Sequence, residues 1–220
     1  MKSRRIPSNI VKESLKVKIA VICEGNEEKR YIEKLNSLKI WDDIYSITLK
    51  NSNSSTKIFS IYQNLYSNDV YDIVLIFCDT DDQETPSGSN QYQILKNKIK
   101  LHHDIKEVPI IIFSNPCTMQ IILSHFDTIR LSSRKKKENQ VFIEKYANIS
   151  NYKASAKQIE SLMKKISKEN YKDMKERVKA IKQAENICPS SNFYEFLEYF
   201  ENKNCNWIDE LNSYFDIKLN

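Results

Sequence analysis

The chain has 220 residues and a net charge of +5, from 34 Lys and Arg against 29 Asp and Glu. Two glycines, five prolines and 40% apolar residues exclude collagen-like, linker-rich and disordered classes, and the length suits one sizeable core, with or without a helical appendage. No apolar run approaches the ~20 residues of a membrane span, and five scattered cysteines without a CxxC pair point to a reduced, soluble, cytoplasmic chain.

The basic N-terminus, "MKSRRIPSNIVKESLKVKIAVIC", has an apolar run of only Ile19 to Cys23 and no small-residue cleavage site, so a signal peptide is not expected. "VKIAVI" (Val17–Ile22) is a β-branched strand ending at "CEG", with Gly25 as the turn residue. "EEKRYIEKLNSL" follows, placing Tyr31, Ile32, Leu35 and Leu38 on one helical face. "IYSITLK" (Ile44–Lys50) predicts a second strand. "NSSTKIFSIYQNLY" predicts a helix capped by Ser54 or Ser55. "DIVLIFCD" is apolar almost throughout, as a central parallel strand buried on both faces must be. "QETPSGSN" (Gln83–Asn90) is a loop and "NQYQILKNKIKLHH" a helix. "VPIIIFS" (Val108–Ser114) is the fourth strand, and "CTMQIILSHF" starts another helix. Strands alternating with crossover helices make an α/β fold with an open, mostly parallel sheet.

After Phe126 the pattern changes. From Arg130 to about Lys203 only helical periodicity is visible, as in "KQIESLMKKI" and "YKDMKERVKAIKQA". The division expected is an α/β core over 1–129 and a mainly helical extension over 130–220 packed on it. Charge is uneven as well: residues 130–182 carry sixteen Lys and Arg against six acids, whereas 183–220 sum to −5. A basic block of this kind suits a polyanion such as nucleic acid, or is a lysine-rich solvated surface.

Two predicted strands end in acids. The first leads into Glu24, Glu27 and Glu28, and the third into Asp79, Asp81 and Asp82. In open parallel sheets, sites lie outside the carboxyl ends of the strands. Neighbouring strands are roughly 5 Å apart, so adjacency would bring Glu24 and Asp79 within reach of one ion. Crowded carboxylates repel by several kcal/mol at an effective dielectric near 20, and all-oxygen ligands suit Mg²⁺ or Mn²⁺. Each cluster alone reads first as a solvated turn or a helix start that favours acids; the pair on one sheet edge is what points to a site.

"VICEGNEEKRYIEKL" followed by "DIVLIFCDTDD" resembles the TOPRIM pattern of strand, Glu-Gly, helix and a strand ending in Asp-x-Asp. "FSNPCTMQIILSHF" (Phe113–Phe126) and "CPSSNFYEFLEYF" (Cys188–Phe200) resemble two segments of RloB-like proteins. Together these stretches span Val17 to Phe200. The resemblance implies a TOPRIM-like sheet and a metal-dependent nuclease related to OLD-type enzymes. It also implies an anti-phage abortive-infection effector working beside an ABC/SMC-like ATPase. By position, Glu24 would be the general acid/base and a metal contact, Asp79 and Asp81 would hold Mg²⁺ or Mn²⁺, and Glu28 could complete a second site. The family pattern continues after Ser-Asn-Pro-Cys with an aromatic residue and a glutamate, and here those positions read Thr118 and Met119. A lost acid suits a reduced metal site, or a scaffold subunit that binds the ATPase without catalysis. A receiver-like phosphoacceptor at Asp79 is a weaker reading, because it leaves Glu27 and Glu28 without a role.

Ser114 and Asn115 are expected on substrate phosphate or in a helix-entry turn. "RLSSRKKKENQ" supplies Arg130, Arg134, Lys135, Lys136 and Lys137 as phosphate-backbone contacts, or is a solvated face. Tyr146, Tyr152 and Tyr171 stand among lysines, where they could stack on bases, although their spacing favours the core. His102, His103 and His125 read as structural. The aromatic, acidic C-terminal end is a docking surface for a protein partner or simple packing, with packing preferred. DNA and RNA, and a monomer or a homodimer, are all compatible with the sequence.

Overall fold

The computed structural model describes residues 16–80, 90–132 and 136–216; of Lys136 and Asp216 only the backbone is described. Strand β1 (Val17–Cys23) is followed by α1 (Asn26–Ser37) and β2 (Tyr45–Asn51). Then come α2 (Ile58–Ser67), β3 (Ile73–Asp79), α3 (Gln91–His103) and β4 (Ile111–Asn115). The remainder is α4 (Met119–Leu123), α5 (Lys136–Ala147), α6 (Ala156–Met163), α7 (Lys168–Lys179), β5 (Ser190–Ser191), α8 (Phe193–Glu201) and α9 (Asn206–Asp216).

The sheet order is β2-β1-β3-β4-β5. β1 pairs in parallel with both β2 and β3, and β3 with β4, while β5 runs antiparallel to β4. From β1 the chain winds one way to β2 and returns past β1 to β3. The gap between β1 and β3 is therefore the topological switch point, where open α/β sheets form their crevice. β3 explains its own central place: Ile73 through Cys78 are all buried, and each such apolar side chain contributes about 1.5–3 kcal/mol. β4 starts at Ile111, later than the expected Val108, because Pro109 has no N–H for the ladder.

The basic helical part is continuous with the sheet and shares its core. Phe193 of α8 stacks on Phe77 of β3 at 5.4 Å and approaches Tyr31 of α1 at 5.7 Å. One expectation fails here. Residues Arg130 to Lys203 showed no strand pattern, yet Ser190 and Ser191 form β5. A two-residue strand cannot show alternation, and this one is fixed by polar side chains. Ser191 Oγ donates to Phe113 O at 2.7 Å, Asn192 Nδ2 donates to Ile111 O at 2.8 Å, and Asn192 Oδ1 accepts from Phe113 N at 2.8 Å. Cys23, Cys78 and Cys117 are buried thiols, and Cys188 and Cys205 are exposed ones. Among the described residues, no helix is long and apolar enough to cross a membrane.

Candidate active site

The acids that close β1 and β3 meet. Glu24 N donates to Phe77 O at 3.1 Å, carrying the β1–β3 pairing one residue past the strand. The Glu24 side chain then turns inward, and its Oε2 accepts from Asp79 N at 3.2 Å. Helix α1 opens at once behind Gly25. Glu28 Oε2 accepts from Gly25 N at 2.8 Å, which satisfies an amide left unpaired at the helix start. A Cβ on Gly25 would stand 3.0 Å from that oxygen, so the glycine lets the Glu28 carboxyl lie against the backbone. The third element is the start of α4: Thr118 N and Oγ1 both donate to Asp79 Oδ1, at 2.7 and 2.8 Å.

Glu28 and Asp79 face one cavity of about 400 Å³, walled further by Glu27, Cys117, Thr118, Met119, Asn139 and the Tyr152–Ala154 segment. Asp79 also borders a small recess with Glu24, Gln91 and Tyr92. Burial holds the Asp79 carboxyl well above the usual carboxylate range, and the charges of Glu28 and then Glu24 raise it further. Burial likewise raises Glu28, against the lowering effect of its backbone amide bonds and of the Thr118 hydroxyl. That hydroxyl has one proton and its bond to Asp79 has good geometry. What these hydrogen bonds leave unrelieved, a proton or a cation can relieve. Among the described residues no Lys or Arg forms an ion pair with Asp79 or Glu28.

Glu24, Glu28 and Asp79 thus converge, with Glu28 rather than Glu24 as the main electrostatic neighbour of Asp79. Asp81 lies outside the described residues. Among the described residues no group of three His, Cys, Asp or Glu is arranged to hold a metal by itself. Met119, where the resemblance implies a glutamate, is buried and forms apolar cavity wall.

Ser114 and Asn115, expected on phosphate or in a helix-entry turn, are both buried and bonded to backbone. Ser114 is fully buried and its Oγ donates to Cys117 O at 2.8 Å. Asn115 Nδ2 donates to Glu185 O and Ile187 O, both at 2.9 Å. In this arrangement the two side chains shape the strand end, as the helix-entry reading has it. Of the basic run, Arg130 is exposed, with Nη2 3.5 Å from Ala180 O, and Lys137 is exposed in the first turn of α5. That turn also contributes Asn139 to the cavity. Arg134 and Lys135 lie outside the described residues, as does the Lys136 side chain.

Tyr152 and Tyr171 are buried, as their spacing suggested, but Tyr152 is also a site residue that periodicity alone hid. Its hydroxyl donates to Glu27 Oε1 at 2.6 Å. His125 is buried between Tyr31 OH, at 2.9 Å from Nε2, and Asn170 Oδ1, at 3.0 Å from Nδ1. His103 bonds Tyr62 OH at 2.8 Å in the His102–Tyr66–Phe215 aromatic cluster, away from the carboxylates. The C-terminal aromatics pack inward, with Trp207 stacked on Tyr199 at 4.9 Å and its Nε1 donating to Tyr45 OH at 3.0 Å.

No curated protein and no solved structure matches the chain significantly. A family model does, over residues 19–200; it describes the RloB-like proteins.

Proposed function

The chain belongs to the RloB-like family, and on that premise we propose that it is a TOPRIM-type, Mg²⁺- or Mn²⁺-dependent nuclease acting at Glu24, Glu28 and Asp79. The observation that carries this reading is the pair of buried, mutually repelling carboxyls, Glu28 and Asp79, on one cavity at the sheet's switch point. Such a pair costs stability and persists where function needs it. The residues fit a hard divalent cation. Their donors are all oxygen, and Mg²⁺ is usually held by one or two carboxylates completed by waters and substrate phosphates rather than by a full protein cage.

Glu28 and Asp79 would hold such an ion, which would supply charge neutralisation and a water of lowered pKa. The chain's own residues do the rest. Thr118 fixes Asp79 Oδ1 through two hydrogen bonds, and Gly25 N fixes Glu28 Oε2. Glu24, oriented by Asp79 N, is the group to take the proton of the attacking water and return it to the departing sugar oxygen. In that exchange a water O–P bond forms and one P–O ester bond breaks. Asp81 is proposed as a further ligand, and Arg130 and the Arg134–Lys137 run as contacts to the nucleic-acid backbone. The partner in this reading is an ABC/SMC-like ATPase, with the nuclease acting in the cytoplasm as an abortive-infection effector against phage; the family resemblance supports this part.

The test is incubation of the pure protein, alone and with the product of a neighbouring ATPase gene, with DNA and tRNA pools in Mn²⁺. Cleavage lost by at least ~100-fold in Asp79→Asn and in Glu28→Gln is expected if each supplies one transition-state contact of roughly 3 kcal/mol. Equal cleavage by the variants removes the site. Met119 motivates a second reading, a TOPRIM-like scaffold whose metal site has lost an acid. Met119→Glu separates the two: a large gain in cleavage from an inert wild type favours the scaffold, and a loss favours the nuclease.

A further inference from the structure

One loop on the rim of the carboxylate cavity is held in a backbone conformation that its sequence does not favour. Asn148, Asn151 and Ala154 all have left-handed φ, of 54°, 52° and 56°. Asparagine tolerates that region, but alanine does not, and such a residue costs about 1–3 kcal/mol unless its surroundings impose it. The surroundings here are specific. Gln140 Nε2 donates to Tyr152 O at 2.7 Å, Gln158 Nε2 to Asn151 O at 3.1 Å, and Lys153 N to Gln158 Oε1 at 3.0 Å. Tyr152 OH is tied to Glu27 on the helix that carries Glu28. The result places Lys153 on the cavity that holds Glu27, Glu28 and Asp79. Lys153 is exposed, and among the described residues it enters no ion pair.

An exposed lysine on the wall of a cavity that also holds crowded carboxylates, and in no ion pair with them, is available to an incoming anion. The cavity's volume, about 400 Å³, admits a small part of a chain. Glu28 on its wall is only 6% exposed. A rigid duplex presents its phosphates on the outside of a broad rod, whereas an unpaired strand can turn one phosphate inward. We infer that this loop is a phosphate-receiving element in which Lys153 binds a backbone phosphate of an unpaired nucleic-acid strand and presents the neighbouring phosphodiester to the carboxylates. The inference rests on the nuclease reading for the chemistry but not for the binding.

The experiment is fluorescence-anisotropy binding of a labelled 12-nucleotide single strand, and of the same sequence as a blunt duplex, across a salt series. It is done without divalent metal, so that cleavage plays no part. Wild type, Lys153→Ala, Lys153→Arg and, as a remote control, Lys106→Ala are compared by thermal melt first, and only variants melting with wild type are used. Lys153→Arg keeps the cation if Lys153→Ala fails that criterion, and is then compared with Lys153→Gln. Expected are single-strand binding at least ~10-fold tighter than duplex binding and a salt slope about 0.7 shallower in the neutral variant, the value for one phosphate contact to a single strand. Lys153→Arg and Lys106→Ala should keep the wild-type slope. Equal affinity for duplex, or an unchanged slope in the neutral variant, overturns the inference. A wild type that binds in this pattern but cleaves nothing in Mn²⁺, alone or with the neighbouring ATPase, overturns the nuclease reading alone and supports this one.

Discussion

The carboxyl edge of the sheet holds two polar clusters side by side, and they differ in how their hydrogen-bonding capacity is used. At β4 and β5, Ser114, Asn115, Ser191 and Asn192 are closed onto backbone carbonyls and amides. At β1 and β3, Glu24, Glu28 and Asp79 are crowded so that the ionised form of Asp79 is disfavoured. The two meet where Asp79 and Ser114 are register partners. Polar residues satisfied internally hold a fold together, while charges pressed against one another await something from outside. The first cluster is architecture. The second is the proposed site.

The contrast can be sharpened first on the structural side, where losses should be largest. His125 belongs with the satisfied residues: burial lowers its pKa from 6.5 to about 4, so it is neutral in the fold between Tyr31 and Asn170. The unfolded chain binds its proton between pH 6.5 and 4 while the folded chain does not, so stability falls as pH drops through that window. The loss is about 3 kcal/mol by pH 4, to be read as a falling urea midpoint. In a folded His125→Gln variant that part of the pH dependence should vanish, and an unchanged pH profile would refute the assignment. Asn192→Ala removes both bonds to β4 and leaves Phe113 N and Ile111 O unpaired. A loss of about 2–3 kcal/mol is expected, with cleavage per folded molecule retained; a destabilised variant that also loses all activity would blur the distinction between the clusters.

Gly25→Ala should act in the opposite sense, with a small stability cost and a large functional one. Its Cβ would press on Glu28 Oε2, 3.0 Å away, and shift the carboxyl by a few tenths of an ångström from its bond to Gly25 N. Weaker Mn²⁺ binding with a melting temperature within ~4 °C of wild type, equivalent to about 1–2 kcal/mol for a chain of this size, is the expected result. Unaltered metal binding would mean that Gly25 does not position the Glu28 carboxyl.

Much of this was legible in the sequence, for physical reasons that also mark its limits. The parallel strands are read from continuous apolar runs such as Ile73–Cys78, because burial on both faces demands them. The meeting of Glu24 with Asp79 follows from adjacent parallel strands that stop level with one another. What was not legible depends on single side chains acting across the fold. β5 has two residues and no period, and is made by Asn192 reaching β4. Ser114 and Asn115 resemble a phosphate-binding turn until their partners, Cys117, Glu185 and Ile187, are in place. Tyr152 sits at core spacing and is in the core, yet its hydroxyl reaches Glu27 across 125 positions of sequence. Lys153 borders the cavity on a left-handed loop, and backbone conformation at alanine leaves no trace in composition.

The most direct test of the crowded carboxylates is a thermal melt of wild type and Asp79→Asn at pH 7.5, each with chelator and with millimolar Mn²⁺. Relief of the buried charge should make Asp79→Asn melt higher than wild type in chelator, by about 2–4 °C for each kcal/mol recovered. Mn²⁺ should raise wild type by about 3–10 °C, as saturating ligand does, and leave the variant unmoved. A variant that melts lower than wild type in chelator, together with no response of wild type to Mn²⁺, would show that these acids neither repel one another nor share an ion.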